Sequence, residues 1–200
     1  MKTFFFFGDS LTLGVNDPSL RGWIGQLSLV SGVPVPPATF YNLGARKHSS
    51  AAISKRWKSE VEARLIPESK PRLLFTFGVV DMATTPSGQQ NISTEESVEN
   101  ARAILVDAVE TYGKKNVVMV SPFPVVNIEH RERIGELSAA YLDMCADYDI
   151  AYVDIYSKLA QHEPYLNNLS DGVHPSEEGH AIIADLLHQN EHILLWMNNS

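Results

Sequence analysis

Only one cysteine, Cys145, stands in the 200-residue chain, so no disulfide can close within it. The surrounding Tyr141-Leu142-Asp143-Met144 reads as helix, and Cys145 is expected there as a small packed hydrophobe. Long apolar runs are missing as well. None approaches the ~18 residues of a spanning helix, so no membrane span is expected. The run Phe4-Phe5-Phe6-Phe7 is cut by Gly8-Asp9, which leaves it short of the about 7–15 apolar residues of a secretory signal. Residues 3–7 therefore read as mature structure. Basic charge is scarce: 16 Lys and Arg against 24 Asp and Glu give a formal net charge of −8. Such a surface repels phosphate backbones and argues against nucleic-acid binding. Metal-ligand spacing such as His-Glu-x-x-His is missing too. His48, His130, His162, His180, His188 and His192 read as surface or helix-face residues, and no metal or cofactor is expected. These absences together point to a cytoplasmic protein.

What is present is a regular alternation. Short runs of apolar β-formers lie at 3–7, 39–43, 73–77, 116–121 and 151–154. They are nearly continuous rather than alternating, as strands covered on both faces are. Between them run helical spacings: Ile24, Leu27, Val30; Ile53, Trp57, Val61, Leu65; Val98, Ala101, Leu105, Ala108; Ile134, Leu137, Tyr141, Met144; Ile182, Ile183, Leu186. Ser93-Thr94-Glu95-Glu96 has the form of a capping box. Lys47, Lys55, Arg56, Lys58 and Arg64 read as the solvated face of one helix. Trp23 and Trp57 are expected in the core, and Trp196 is expected to pack the tail onto the body. Strand and helix in alternation predict an α/β three-layer sandwich with a five-stranded parallel sheet. There is no repeat and no dividing linker, so residues 1–200 read as one domain. The longest segment without predicted structure is 79–92.

Two short stretches carry chemistry. Gly8-Asp9-Ser10-Leu11 follows the first strand, where open α/β sheets place their ligands. Asp171-Gly172-Val173-His174 precedes the last long helix. An Asp and a His three apart on one tight loop can meet, which fixes the imidazole tautomer and leaves Nε2 as a base. Serine needs such a partner to act as a nucleophile at neutral pH.

These residues resemble the GDSL family of SGNH hydrolases, with Gly8-Asp9-Ser10-Leu11 at one end and Asp171-x-x-His174 at the other. Asn42-Leu43-Gly44 and Phe77-Gly78-Val79-Val80-Asp81 fall where that family has its second and third blocks. The resemblance implies a flavodoxin-like fold over nearly the whole chain and a serine esterase of small-molecule esters. It implies Ser10 as nucleophile, His174 as base and Asp171 as its orienting carboxylate. It also implies the amides of Ser10 and Gly44 as oxyanion donors.

One departure stands out. The family's third oxyanion donor is an asparagine, and the matching position is Val80, which has no donor. Loss of one such donor typically costs about 10²–10³ in kcat, so a slower esterase is expected. Arg46 or Lys47, just beyond Gly44, is expected to reach the site in its place. The polar 79–92 loop favours short acyl groups. A thioesterase or an acyl transferase on the same site stays open, as does a non-catalytic binder on this fold, motivated by Val80. Oligomeric state is not legible.

Overall fold

The structure is a computed structural model that describes residues 1–35 and 37–198. Pro36, in the proline-rich loop before the second strand, and residues 199–200 of the expected domain lie outside that description. Among the described residues five strands form: β1 (Lys2–Gly8), β2 (Thr39–Gly44), β3 (Lys70–Thr76), β4 (Val117–Val120) and β5 (Ala151–Val153). They pair in the order β2-β1-β3-β4-β5, every pair parallel. This is the doubly wound order of flavodoxin-like sheets.

The helices that cover the sheet begin with α1 (Ser10–Leu13), α2 (Gly22–Val30), α3 (Ser50–Ser54) and α4 (Trp57–Arg64). Next come α5 (Thr94–Tyr112), α6 (Ile128–Asp147), α7 (Tyr156–Leu159) and α8 (Glu163–Asn167). The last two are α9 (Glu177–His188) and α10 (Glu191–Asn198). Local chemistry explains several starts. Ser93 Oγ accepts the Glu96 N–H at 3.1 Å ahead of α5, and Ser176 Oγ accepts the Gly179 N–H at 3.3 Å ahead of α9. No helix among the described residues is long and apolar enough to cross a membrane.

The Phe4-Phe5-Phe6-Phe7 run is buried because β1 lies inside the sheet and is covered on both sides. All four rings are fully buried. Strand alternation sends Phe4 and Phe6 to one face, against Phe40, Trp23 and Trp196. Phe5 and Phe7 go to the other, against Tyr41 and Phe75, with Trp57 edge-on to Phe75. Each such ring contributes about 1.5–3 kcal/mol of burial free energy, so this segment anchors the core. Cys145 is packed in the core as expected, and burial pushes its thiol up to about 12.

Three expectations need correction. The 53–65 periodicity is two helices, not one. The break falls at Lys55-Arg56 because Arg56 turns inward, its Nη2 donating to Leu43 O at 2.7 Å and Gly8 O at 3.2 Å. Arg56 is therefore no part of a solvated face. Its guanidinium ties off carbonyls at the carboxyl ends of β1 and β2. The 79–92 segment is not structureless either: an antiparallel bridge pairs Thr84 with Gln90. Finally, His180, expected at the surface or on a helix face, is fully buried on the inner side of α9.

Because β2 and β3 leave β1 on opposite sides, the loops after β1 and β3 part at the sheet's carboxyl end. That gap is the switch point at which ligands bind in such folds.

Candidate active site

Ser10 sits at this gap. Asp9 caps α1, its Oδ1 accepting the Leu11 N–H at 2.9 Å. Ser10 is the first residue of α1, so its own N–H has no intrahelical acceptor. Gly14 ends the helix at φ +86°, a left-handed position suited to glycine. The helix is only four residues long, and these two caps define it.

The second element is the loop between α8 and α9. Asp171 Oδ1 accepts the N–H groups of Val173 at 3.0 Å and His174 at 2.7 Å. Its Oδ2 lies 2.6 Å from His174 Nδ1. A carboxylate can only accept, so Nδ1 carries the proton, and Nε2 is left to accept from Ser10 Oγ at 2.8 Å. Thus Ser10, His174 and Asp171 stand in one hydrogen-bonded row, although Ser10 and His174 are 164 residues apart in sequence. Burial works against ionising Asp171, but the backbone and imidazole N–H groups of His174 outweigh it, with Val173. The carboxyl is held down to about 2. Ser10 is 7% exposed and the His174 side chain 15%, whereas Asp171 is 53% exposed. The row therefore runs from the cavity outward to solvent.

A cavity of about 230 Å³ opens over Ser10 and His174. Leu11, Val79, Val80, Ala83 and Val173 make its walls apolar, and Lys47 and His130 complete the rim. Val80 is thus one of the residues that line the cavity over Ser10. His130, expected at the surface or on a helix face, lies in α6, lines this cavity and donates Nε2–H to Val79 O at 2.8 Å. The Val79-Val80 segment is thereby fixed to α6. Asp81 turns away from the cavity. It is fully buried and accepts from the Ser50 N–H at 2.8 Å and from Ser97 Oγ at 2.6 Å.

Gly44 is not placed as expected. Its N–H donates to Asn42 Oδ1 at 3.0 Å, so it is not free for an oxyanion. Its lack of a side chain serves a different purpose. A Cβ there would lie 2.1 Å from Leu13 N and 2.6 Å from Leu13 Cα, so glycine lets α1 sit directly on β2. The residue that lines the Ser10 cavity is Lys47. It occupies the third position of a turn closed by His48 N–H donating to Ala45 O at 3.3 Å, and its φ is +62°. A turn with φ > 0 only at that position is type II, which usually takes glycine there. The Lys47 N–H has no hydrogen-bond acceptor among the described residues.

Arg46 does not line the Ser10 cavity. It lines an adjoining groove of about 400 Å³ with Leu13, Gly14, Val15, Asn16, Asp17 and Leu20. Sequence reasoning missed Asn16 altogether. Its Nδ2 donates to Ser170 Oγ at 2.8 Å and to His174 O at 3.2 Å, tying the segment after α1 to the histidine loop. Asn16-Asp17-Pro18 signals a turn in sequence, but nothing in it names the partner. Among the described residues no group of three His, Cys, Asp or Glu side chains is placed to hold a metal ion.

A parallel sheet in 2-1-3-4-5 order, with a serine and a histidine hydrogen-bonded at its switch point, is the architecture of SGNH-type esterases. The model of the GDSL-like Lipase/Acylhydrolase family matches residues 6–182, and the chain belongs to that family. It is a carboxylic ester hydrolase. Among solved structures it is similar to a lipase/acylhydrolase from Enterococcus faecalis, with 20% identity, 94% of each chain covered and a TM-score of 0.73. It is also similar to Axe2, an acetylxylan esterase from Geobacillus stearothermophilus, with 18% identity, 96% of this chain and 95% of that one covered and a TM-score of 0.75. At these identities the likeness concerns the fold. No curated protein sequence matches the chain.

Proposed function

We propose that the chain hydrolyses short-acyl esters through an acyl-Ser10 intermediate. Ser10 Oγ attacks the acyl carbon as His174 Nε2 takes its proton. Asp171, ionised down to about pH 2, holds the imidazole by Nδ1 and stabilises the imidazolium. The N–H groups of Ser10 and Lys47 donate to the oxyanion. On collapse the carbon–oxygen bond to the alcohol breaks, and His174 returns the proton to the departing oxygen. Water, activated by the same imidazole, then frees the acid and restores Ser10.

The observation that carries this reading is the row of 2.8 Å and 2.6 Å contacts from Ser10 Oγ through His174 to Asp171. Short acyl groups are supported by the cavity of about 230 Å³, which is small and walled by Leu11, Val79, Val80, Ala83 and Val173. Among the similar structures, catalytic mutants of the Geobacillus esterase replace a serine, an aspartate and a histidine by alanine. That esterase acts on acetylxylan. The lone, buried Cys145 accords with a reducing compartment, and we assign the protein to the cytoplasm.

A fluorophosphonate probe tests the reading, with an acetyl, butyryl and octanoyl 4-nitrophenyl ester series beside it. Labelling and acetyl-ester turnover are expected in the wild type and lost in Ser10→Ala. Unlabelled but folded wild-type protein would refute the acyl-serine mechanism, and a faster octanoyl ester would refute the short-acyl preference.

A further inference from the structure

The groove beside Ser10 has no part in the steps above, yet it is built for a ligand of definite character. Its walls combine an exposed cation, Arg46, with two exposed apolar side chains: Leu13 is 41% and Leu20 89% exposed. Neither Arg46 nor its neighbour Lys47 has a partner among the described residues. The carboxylate that lines the groove, Asp17, and the one that holds His174, Asp171, are bonded elsewhere. Asp17 accepts from the Ser19 N–H and Oγ at 2.8 Å and from the Gly22 N–H at 2.7 Å. Asp171 is taken up by Val173 and His174. Asp17 keeps its charge but is 3% exposed and its oxygens are bonded to the backbone, so the exposed cation Arg46 is the charged side chain of the groove that a ligand meets from solvent.

Backbone strain gathers at the same place. Five described non-glycine residues have positive φ, and two of them line this groove, Asn16 at +75° and Leu20 at +60°, while a third, Lys47 at +62°, lines the Ser10 cavity. For a leucine or lysine that conformation is costly and is held only where the surroundings impose it. The groove also has a defined position relative to the chemistry. His174 Nε2 must face the oxygen it protonates, so the alcohol leaves on the side of the 170–174 loop. Asn16, bonded to His174 O, joins that loop to the groove.

We propose that this groove receives the alcohol part of the ester and that this alcohol carries a phosphate or carboxylate, which Arg46 binds. The inference rests on the esterase reading above. Leu13 and Leu20 pack against the carbon skeleton between the scissile oxygen and the anion, and Lys47 adds positive potential at the rim. The smaller apolar cavity over Ser10 takes the acyl group.

The test compares three acetyl esters of related phenols: phenyl acetate, 4-acetoxybenzoate and 4-acetoxyphenyl phosphate, each rate divided by its alkaline hydrolysis rate. For the wild type, corrected kcat/KM on at least one anionic ester is expected to exceed that on phenyl acetate by about tenfold, as a charge-assisted contact provides. The carboxylate and phosphate arms distinguish the two anions. In Arg46→Gln that ratio is expected to fall to about one. It should also fall in 1 M NaCl, where the screening length shrinks to about 3 Å. Lys158→Gln, which alters a remote exposed lysine on α7, is expected to keep the ratio. Equal corrected rates in the wild type, or a preference that survives Arg46→Gln, would overturn the proposal. Ser10-dependent turnover of phenyl acetate without anionic preference overturns this inference alone. Absence of any Ser10-dependent turnover overturns the esterase mechanism and the inference with it.

Discussion

Asp9 offers a quantitative test of how the nucleophile's turn is built. Its carboxyl is 2% exposed, with Oδ1 accepting from Leu11 N–H and Oδ2 buried without a partner. Burial, partly offset by the Leu11 N–H and reinforced by the charge of Asp81, pushes its pKa from 3.8 up to about 7. Between those two values the unfolded chain has released this proton and the folded chain still holds it. The folded state binds more protons there, so stability falls as pH rises. Over about three pH units, at about 1.4 kcal/mol each, the loss is about 4 kcal/mol. Other groups act in the opposite sense. Burial lowers the pKa values of His48, His130 and His180, so these histidines add stability as pH rises toward 6.5. Asp171 titrates near 2, below the window. A difference measurement therefore isolates Asp9. Urea unfolding followed by circular dichroism, at pH 4 and pH 8, is compared for the wild type and Asp9→Asn. The variant keeps an acceptor for Leu11 N–H but cannot ionise. Its stability relative to the wild type is expected to rise by about 4 kcal/mol from pH 4 to pH 8. A difference that is flat, or that falls with pH, would mean Asp9 is ionised in the fold and would refute the argument.

Two further predictions concern the neighbouring backbone and the cavity wall. Gly44→Ala keeps the Gly44 N–H but drives a Cβ to 2.1 Å from Leu13 N. The overlap should destabilise by about 3 kcal/mol, lowering Tm by about 6–12 °C and displacing Ser10. A Tm within 2 °C of wild type by calorimetry, with kcat intact, would show that α1 does not rest on this glycine. Val80→Asn adds a donor to the wall of the Ser10 cavity and is expected to raise kcat on an acetyl ester, by up to about 10²-fold. A lower kcat in a variant of unchanged circular dichroism would mean that the oxyanion lies elsewhere.

The order of elements was legible because it rests on local patterning. Continuous apolar runs marked strands covered on both faces, and all five appear within a few residues of their expected places. Ser10, Asp171 and His174 were legible as chemical pieces because each sits in a tight polar turn beside a strong element. Where periodicity failed, a tertiary contact had intervened. Arg56 broke the 53–65 helix to reach the carbonyls of Gly8 and Leu43, and the amphipathic α9 buried His180 with its apolar face. His130 gave no signal, since a histidine in the first turn of α6 looks the same whether or not a cavity lies beside it.

By itself, then, the sequence determined the alternation of strands and helices and the reactive groups, since turn chemistry and hydrophobic period act between near neighbours. Only the tertiary structure decided that Ser10 and His174 meet, that Lys47, whose N–H has no acceptor among the described residues, lines the cavity while the Gly44 N–H is bonded to Asn42, and that Arg46 lines its own groove. An amide's direction follows from the backbone dihedrals the packed loop adopts, and residue identity constrains those dihedrals too weakly to reveal it.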